Sequence, residues 1–421
     1  MLDAAITSGM HERECVFEAF ARRLPAGRRY GIVAGTGRLL ELIREFRFGD
    51  AELSWLAEND VVRTAAIDWL ANYRFSGSIS GYREGEVYFP NSPILVVDAT
   101  FAEGVILETV ILSVLNYDSS VASAAARMVS AAVGRPLAEM GSRRTGEQSA
   151  IAAARAAYIA GFAATSNLEA GRTWAIPTMG TAAHAFTMLH DTEEQAFRAQ
   201  VDALGPGTTL LVDTFDVRRG VDLAVKVAGV GLGAIRLDSG DLPSLVSEVR
   251  KQLDSLGALN TKITVTNDLD EFAIATLAAS PVDSYGVGTS VVTGSGSPAA
   301  GMVYKLVAHK NDAGDWVSVA KNSPEKATVG GRKHPVRLLN ESGKATAEVI
   351  HVVHDPTDAE TAAPGRYLLV PLIENGRIAE QHLGTTGVQA ARAHRTAATA
   401  ELPDEAFRLS DGDPIIPTRL A

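Results

Sequence analysis

The sequence is short of cysteine, of positive charge and of long apolar runs, and each shortage narrows what the protein can be. Its 421 residues hold one cysteine, Cys15. A single thiol allows neither an intrachain disulfide nor a cysteine-based zinc site, which fits a reducing cytoplasm. Lys and Arg number 39 against 50 Asp and Glu, a net charge of −11. That balance argues against non-specific binding to nucleic acid or to an anionic membrane, while leaving room for a local basic pocket. The longest apolar stretch, residues 105–115, carries Glu108 and falls short of the roughly 20 residues that span a bilayer. The opening Met1-Leu-Asp-Ala-Ala-Ile-Thr7 has no basic segment ahead of an apolar one, so no secretory signal is expected. A soluble cytoplasmic protein follows, with no nucleic-acid and no membrane partner. Familiar catalytic motifs are missing too: no GxxxxGK(S/T) P-loop, no HExxH zinc site, no GxSxG elbow. Gly229-Val-Gly-Leu-Gly233 has the texture of a dinucleotide fingerprint, but it precedes a strand instead of following one.

Hydrophobic residues make up 46 % of the chain, enough for two domains or one large domain with an extension. Residues 1–93 mix helix and strand. Residues 14–24 have helical spacing, with Phe17, Phe20 and Leu24 on one side. Residues 29–33 read as a short strand, 39–46 and 51–55 as helices, and 78–89 as a hairpin turning at Gly85. From Ile94 the texture changes. An apolar strand at 94–98 precedes helices at 105–114, 121–133 and 148–163. Strands at 209–212, 234–237, 262–265 and 284–287 then alternate with helices at 221–228, 242–256 and 269–279. Short, continuously apolar strands suit a parallel sheet buried on both faces. Their alternation with helices argues for β/α units forming a barrel. After residue 289 the chain turns β-rich, with strands at 301–308, 316–320, 347–353 and 366–371 and a Pro/Gly loop at 322–331. A helix at 385–396 and an irregular tail at 401–421 close it. The division expected is 1–93, 94–295, 296–375 and 376–421.

In such an architecture ligands bind at the C-terminal ends of the strands. Trp174-Ala-Ile-Pro-Thr-Met-Gly-Thr-Ala-Ala-His184 reads as a strand stopping at Pro177, a tight loop, and a helix beginning near Thr181. It presents Thr178, Thr181 and His184. Alone, such a histidine is more often a bland helix residue, but its company changes the balance. Asp213, Thr214 and Asp216 follow the next apolar run; Arg236, Asp238, Ser239 and Asp241 the one after. Thr266, Asn267, Asp268 and Asp270 come next, then Gly286, Gly288, Thr289 and Ser290. Gly286-Val-Gly-Thr289 offers backbone N–H groups and a hydroxyl to a phosphate. Asp213, Asp238 and Asp268 can hold ribose hydroxyls or a hydrated Mg²⁺; Asp268 also fits a helix N-cap. Arg236 at an apolar strand's end calls for an anion, a carboxylate or phosphate that matches its fork. Gly141-Ser-Arg-Arg-Thr-Gly146 is a second basic spot in an acidic chain.

These pieces together resemble nicotinate phosphoribosyltransferases, of the type II phosphoribosyltransferase group. The resemblance runs from about residue 10 to beyond 330 and is carried by Gly141-Ser-Arg-Arg-Thr-Gly146, Pro177-Thr-Met-Gly-Thr-Ala-Ala-His184, Leu211-Val-Asp-Thr-Phe-Asp216, Ile235-Arg-Leu-Asp-Ser-Gly-Asp241, Thr266-Asn-Asp-Leu-Asp-Glu271 and Gly286-Val-Gly-Thr289. It implies an α/β fold, an irregular (β/α) barrel beside an α+β sandwich built from N- and C-terminal segments. It implies conversion of nicotinate and 5-phosphoribosyl 1-diphosphate (PRPP) to nicotinate mononucleotide and diphosphate. Mg²⁺ would assist, held mainly by substrate phosphates, and ATP would be a co-substrate. His184 would become a phosphohistidine with Asp213 beside it. Thr181, Arg236 and Arg143 would bind nicotinate; Arg143, Asp238, Asn267, Gly288 and Thr289 would bind PRPP, with Asp238 facing the ribose. A cytoplasmic homodimer with shared active sites is implied as well.

Related nicotinamide enzymes place an aspartate in the base pocket, where this sequence has Asn167 within Ala164-Thr-Ser-Asn-Leu-Glu-Ala-Gly171. That favours a carboxylate substrate. The family opens with a segment carrying a Tyr that stacks on the pyridine, and this chain opens at Met1-Leu-Asp-Ala-Ala, where that motif should have finished. The alternatives are a nicotinamide-preferring relative and a binding homologue impaired by lack of that motif.

Overall fold

A computed structural model describes residues 1–321, 329–353 and 364–421. The chain forms two compact units, Met1–Ser120 with Ala299–Ala421, and Val121–Pro298.

The first unit is built on an antiparallel sheet. Its strands run in the order Trp316–Ser318, Met302–Lys310, Glu14–Ala21, Pro93–Thr100, Ser78–Tyr82, Leu369–Glu374, Arg377–Ile378. Several expectations change here. Residues 14–24 are not a helix: Glu14–Ala21 is a central strand between Met302–Lys310 and Pro93–Thr100. Both of its faces are covered. Cys15, Phe17 and Ala19 enter one apolar cluster, while Val16 packs with Val96, Val307 and Ala308. Apolar residues on both faces erase the alternation that marks a strand, and the Phe17/Phe20 spacing mimics a helix. Residues 78–89 are not a hairpin either. Ser78–Tyr82 joins the large sheet, whereas Val87–Tyr88 pairs with Gly31–Ile32. Between them Gly85 adopts φ +90°, and a side chain there would collide with the Ala391 carbonyl.

The expected boundary at residue 94 moves. The strand Pro93–Thr100 belongs to this sheet, and one continuous helix, Phe101–Ala131, follows where two were expected. The polar Asn116-Tyr-Asp-Ser-Ser120 does not break it because its side chains find partners. The Asn116 Oδ1 accepts from the Met302 N–H at 2.8 Å, and the Asp118 carboxylate takes two hydrogen bonds from Arg38. By length and a mean hydropathy of 1.3 this helix could cross a membrane, but half of its most apolar window is buried, with Leu107, Ile111, Val114 and Leu115 in the core. A second sheet, Arg366–Tyr367, Arg332–Leu339, Ala345–Val353, Thr418–Leu420, was not foreseen in full. The run 366–371 splits between the two sheets, and the tail ends in a short strand. Residues 322–328 of the expected Pro/Gly loop lie outside the described residues.

Between these strands lies a buried ionic network. The Glu86 carboxylate accepts from Arg337 Nη1 at 2.6 Å, Arg366 Nη1 at 2.7 Å and His394 Nε2 at 2.8 Å. Burial pushes its pKa up. The His394 hydrogen bond and the Arg337 and Arg366 guanidiniums outweigh that and hold it far below the ordinary 4.5. A depressed carboxylate contributes stability above its unfolded pKa and loses it as pH falls toward the folded value. The melting temperature is therefore expected to drop on acidification below about pH 4.5. In Glu86→Gln it should start lower and fall less steeply; an equally steep acid limb in calorimetry would remove Glu86 as its cause.

The second unit carries a parallel sheet: β1 (Leu137–Glu139), β2 (Ala164–Thr165), β3 (Thr209–Leu211), β4 (Ala234–Leu237), β5 (Lys262–Val265) and β6 (Ser284–Val287). The order is β2-β1-β6-β5-β4-β3 and every pairing is parallel. The helices Glu147–Ala160, Val217–Ala228 and Leu242–Ser255 lie near their expected positions. The segment before His184 differs. Trp174 ends a helix, Leu168–Trp174, and Ala175 turns the chain at φ +53°. Thr178 then bridges Thr165 beside β2. The next helix starts at His184 with Ala183 as its N-cap, not near Thr181. Asp268 is not an N-cap: Asp270 takes that role, accepting from the N–H groups of Phe272 and Ala273.

Candidate active site

Because the six strands are parallel, their carbonyl ends and following loops gather along one edge of the sheet. Arg236 is the third residue of β4, and its side chain is 15 % exposed, so its charge needs partners close by. Nε donates to Thr266 Oγ1 at 2.9 Å, Nη1 to Thr181 Oγ1 at 2.7 Å and Nη2 to Asp238 Oδ1 at 2.9 Å. Thr266 at the end of β5 also donates its hydroxyl to Asp238. The other carboxylate oxygen, Asp238 Oδ2, lies 3.6 Å from His184 Nε2. Burial raises the Asp238 pKa, but hydrogen bonds from Thr266 and Arg236 and the charges of Arg236 and His184 bring it below its ordinary value.

The opposite side of the imidazole is held by a hydroxyl, with His184 Nδ1 3.1 Å from Thr214 Oγ1. Asp213 is one residue away and does something else. Its Oδ2 accepts from the Asp238 N–H at 2.7 Å and the Ser239 hydroxyl at 2.8 Å, which braces the turn after β4. Its Oδ1 is buried without a hydrogen-bond partner. The expected pairing of Asp213 with His184 is thus replaced by Thr214 on one nitrogen and Asp238 near the other.

Two glycine-bearing loops meet at the ends of β1 and β6. The Met140 N–H donates to the Val287 carbonyl at 2.7 Å. A side chain on Gly141 would collide with Val292, and one on Gly286 would press on Met140 Sδ at 2.7 Å. Gly288 caps the short helix Thr289–Val292. Arg143, two residues beyond Gly141, is exposed. Glu139, ahead of this loop, is fully buried. Its carboxylate accepts from the Gly141 N–H and from the Thr165 hydroxyl; burial nonetheless raises its pKa above the ordinary range against those bonds. After β5, Asn267 and Asp268 are exposed and sit at φ +97° and +43°. Such conformations cost side-chain-bearing residues about 1 kcal/mol or more and gather at ligand-binding turns. A 560 Å³ cleft adjoins Thr181 from the side of Phe186 and Leu204 and is lined by neither Arg236 nor Asp238. Among the described residues no three His, Cys, Asp or Glu side chains converge as a metal site would need.

An anion-seeking guanidinium, a histidine beside a carboxylate and glycine turns at neighbouring strand ends are parts a glycosyl-phosphate enzyme could use. Residues 1–116 match the nicotinate phosphoribosyltransferase (NAPRTase) N-terminal domain. Nicotinate phosphoribosyltransferase pncB1 of Mycobacterium tuberculosis is 54 % identical over 427 aligned residues, spanning all of this chain and 92 % of the relative. This chain belongs to the nicotinate phosphoribosyltransferase family. The Bacillus subtilis nicotinate phosphoribosyltransferase is 39 % identical, over 79 % of this chain and 70 % of that one. The crystal structure of human nicotinic acid phosphoribosyltransferase has the same fold, with a TM-score of 0.82 at 25 % identity over 99 % of this chain and 96 % of the human one. The nicotinate-nucleotide pyrophosphorylase of Pyrococcus furiosus shares the fold at a TM-score of 0.75 and 22 % identity, over 96 % and 92 % of the two chains.

Of the residues singled out in the sequence, Thr181, His184, Arg236 and Asp238 are joined by direct contacts, and Asp213 reaches them through the backbone of Asp238. Asn267 adjoins Thr266, and Gly288 and Thr289 lie at the end of β6. Arg143 makes no side-chain contact with the others. Thr214 and Thr266 were visible only as strand-end hydroxyls without a task. Glu139 and Thr165 were missed. The signal for Glu139 was an acid closing the apolar strand Leu137–Glu139 just ahead of Gly-Ser-Arg-Arg.

Proposed function

We propose that this protein transfers the phosphoribosyl group of PRPP to nicotinate, releasing diphosphate, and couples the transfer to ATP hydrolysis through His184. The arrangement of Arg236 carries the reading. Four bonds fix its guanidinium, the fourth a long one from Nη1 to the Ala182 carbonyl at 3.5 Å, and Nη2 keeps an N–H for an external carboxylate, which the Thr181 hydroxyl would join. Asn167 supports nicotinate over nicotinamide. Its Oδ1 accepts from the Ala170 N–H and its Nδ2 donates to Ser142 Oγ, so it is held as a neutral amide and offers no carboxylate to the amide of nicotinamide.

Displacement at the ribose C1 builds positive charge on the sugar and negative charge on the leaving diphosphate. Asp238 stabilises the first. Arg143, Asn267 and the N–H groups and hydroxyl of Gly288 and Thr289 hold the phosphates. Mg²⁺, carried mainly by the phosphate oxygens of PRPP, would neutralise the leaving group. The pyridine nitrogen attacks with its own lone pair, so no general base is required. ATP passes its terminal phosphoryl group to His184 and leaves as ADP; water later takes the group off as phosphate and restores the histidine, whose ring Thr214 orients through Nδ1 while Asp238 faces Nε2. A cytoplasmic homodimer with shared sites completes the proposal.

The test compares nicotinate with nicotinamide in the presence of PRPP, with and without ATP, for wild type and His184→Ala. Nicotinate mononucleotide should form faster with ATP, and label from ATP should appear on wild type alone. His184→Ala should retain slow, ATP-independent turnover. Absence of product with nicotinate, or an ATP effect that survives in His184→Ala, would overturn the proposal.

A further inference from the structure

We propose that Glu139 is a positioning residue for the phosphoribosyl donor: with Thr165, Asn167 and Ser142 it closes a hydrogen-bonded ring that sets the loop carrying Arg143. The inference rests on the reading above that Arg143 meets PRPP. The ring runs through five residues. Glu139 Oε1 accepts from the Gly141 N–H, and Oε2 accepts from the Thr165 hydroxyl at 2.6 Å. Thr165 Oγ1 accepts from the Asn167 N–H at 3.0 Å. Asn167 Nδ2 donates to Ser142 Oγ at 3.1 Å, and Ser142 follows Gly141. The Glu139 carbonyl also accepts the Ser166 N–H at 2.8 Å. The first two residues of the basic loop are therefore held from both sides, and Arg143 is the next along the chain.

A carboxylate at residue 139 suits the ring. The Gly141 N–H can only donate to it, and the Thr165 hydroxyl donates to it while accepting from Asn167. An acceptor-only group takes both bonds; a glutamine keeps the Gly141 bond only by turning its N–H at Thr165, where the hydroxyl has to rotate away. Yet a buried carboxylate is expensive, and among the described residues no cation pairs with Glu139. A neutral or apolar residue would cost the fold less. What the carboxylate supplies is position. Gly141, held by Glu139 Oε1, itself packs against the second phosphate-side loop: a side chain added there would lie 2.9 Å from the Gly288 carbonyl. One buried acid thus holds the residue at which the loop of Arg143 meets the turn of Gly288.

Steady-state kinetics on the full chain test this. Wild type is assayed first with nicotinate and PRPP; no turnover there would sink the functional reading itself and leave the inference nothing to act on. Given turnover, Glu139→Gln should raise the KM for PRPP about tenfold, the loss expected when a hydrogen bond to a charged group is broken. Its kcat should stay within about threefold, since no interaction confined to the transition state is removed. Arg143→Ala raises the same KM, and the double variant should be no worse than the weaker single, because the two act through one contact. Additive effects would mean that Glu139 acts elsewhere, and an unchanged PRPP KM in a folded Glu139→Gln would refute the role. If Glu139→Gln does not fold, Ser142→Ala opens the ring from its other side. It should raise the PRPP KM by about threefold or more with an unaltered melting temperature. An unchanged KM there also refutes the proposal.

Discussion

Replacing Arg236 by alanine is expected to lower kcat/KM for nicotinate roughly a hundred- to a thousandfold, the range for truncating one member of a buried, hydrogen-bonded charge pair. Three losses coincide. In the proposed function the carboxylate of nicotinate loses its planar partner. Asp238, which takes one bond from Arg236 Nη2 and one from Thr266, loses its closest cation. Thr181 loses the contact at 2.7 Å that fixes its hydroxyl. Arg236→Lys should recover little, because a point charge on a flexible stem cannot hold Thr266, Thr181 and Asp238 in one plane and keep an N–H for substrate. Nicotinamide offers the way to separate the causes. It has no carboxylate to lose, so any trace of nicotinamide turnover should fall less than nicotinate turnover does. Initial rates with both bases over a PRPP series decide it. A nicotinate kcat/KM within a few-fold of wild type in Arg236→Ala would take Arg236 out of the base site.

The second unit was more legible in the sequence than the first, and the reason is physical. Strands such as Ala234–Leu237 and Ser284–Val287 are short, mostly apolar and bounded by loops rich in Asp, Gly and Thr. Parallel strands covered by helices announce themselves in that way. The large sheet of the first unit is antiparallel, and its central strands are buried on both faces too, so the alternation that ought to mark them is missing. Glu14–Ala21 then passes for a helix. Arg332–Leu339 went unseen because Arg332, Lys333 and Arg337 break its apolar pattern. Those charges are paired with Asp98, with Glu18, and with Glu86 and Glu348; all but Glu348 are far off in sequence. At the site, residue types at strand ends were readable: Arg236, Asp238 and His184 come together. Their pairings were not. Whether Asp213 or Thr214 meets the imidazole depends on a one-residue rotation after Leu211, and only the backbone decides that.

Arg337 shows how much the fold leans on such distant pairings, and Arg337→Met is expected to destabilise the protein by about 3–5 kcal/mol, the usual cost of breaking a buried ion pair from one side. For a unit of this size that lowers the melting temperature by roughly 10 °C. Arg337 is fully buried. Its Nη1 donates to Glu86 at 2.6 Å and its Nη2 to Val87 O at 2.7 Å and Glu348 Oε2 at 3.0 Å. The two acids fare differently once it is gone. Glu86 keeps Arg366 and His394. Among the described residues Arg337 is the one cation paired with Glu348, which is left with the Tyr82 hydroxyl at 2.6 Å. The penalty therefore resides chiefly in a stranded Glu348 charge. Arg337→Met/Glu348→Gln should win back part of the lost melting temperature, since the amide is neutral and still accepts from Tyr82. Acidification should also hurt Arg337→Met less than wild type, because one of the groups that depress the Glu86 carboxyl is gone and less stability hangs on its ionisation. Calorimetry of the single and double variants at neutral and acidic pH measures both effects. A double variant no more stable than Arg337→Met would place the loss in the packing of Arg337 over the Phe89 ring, 5.5 Å from its guanidinium carbon, instead of in charge.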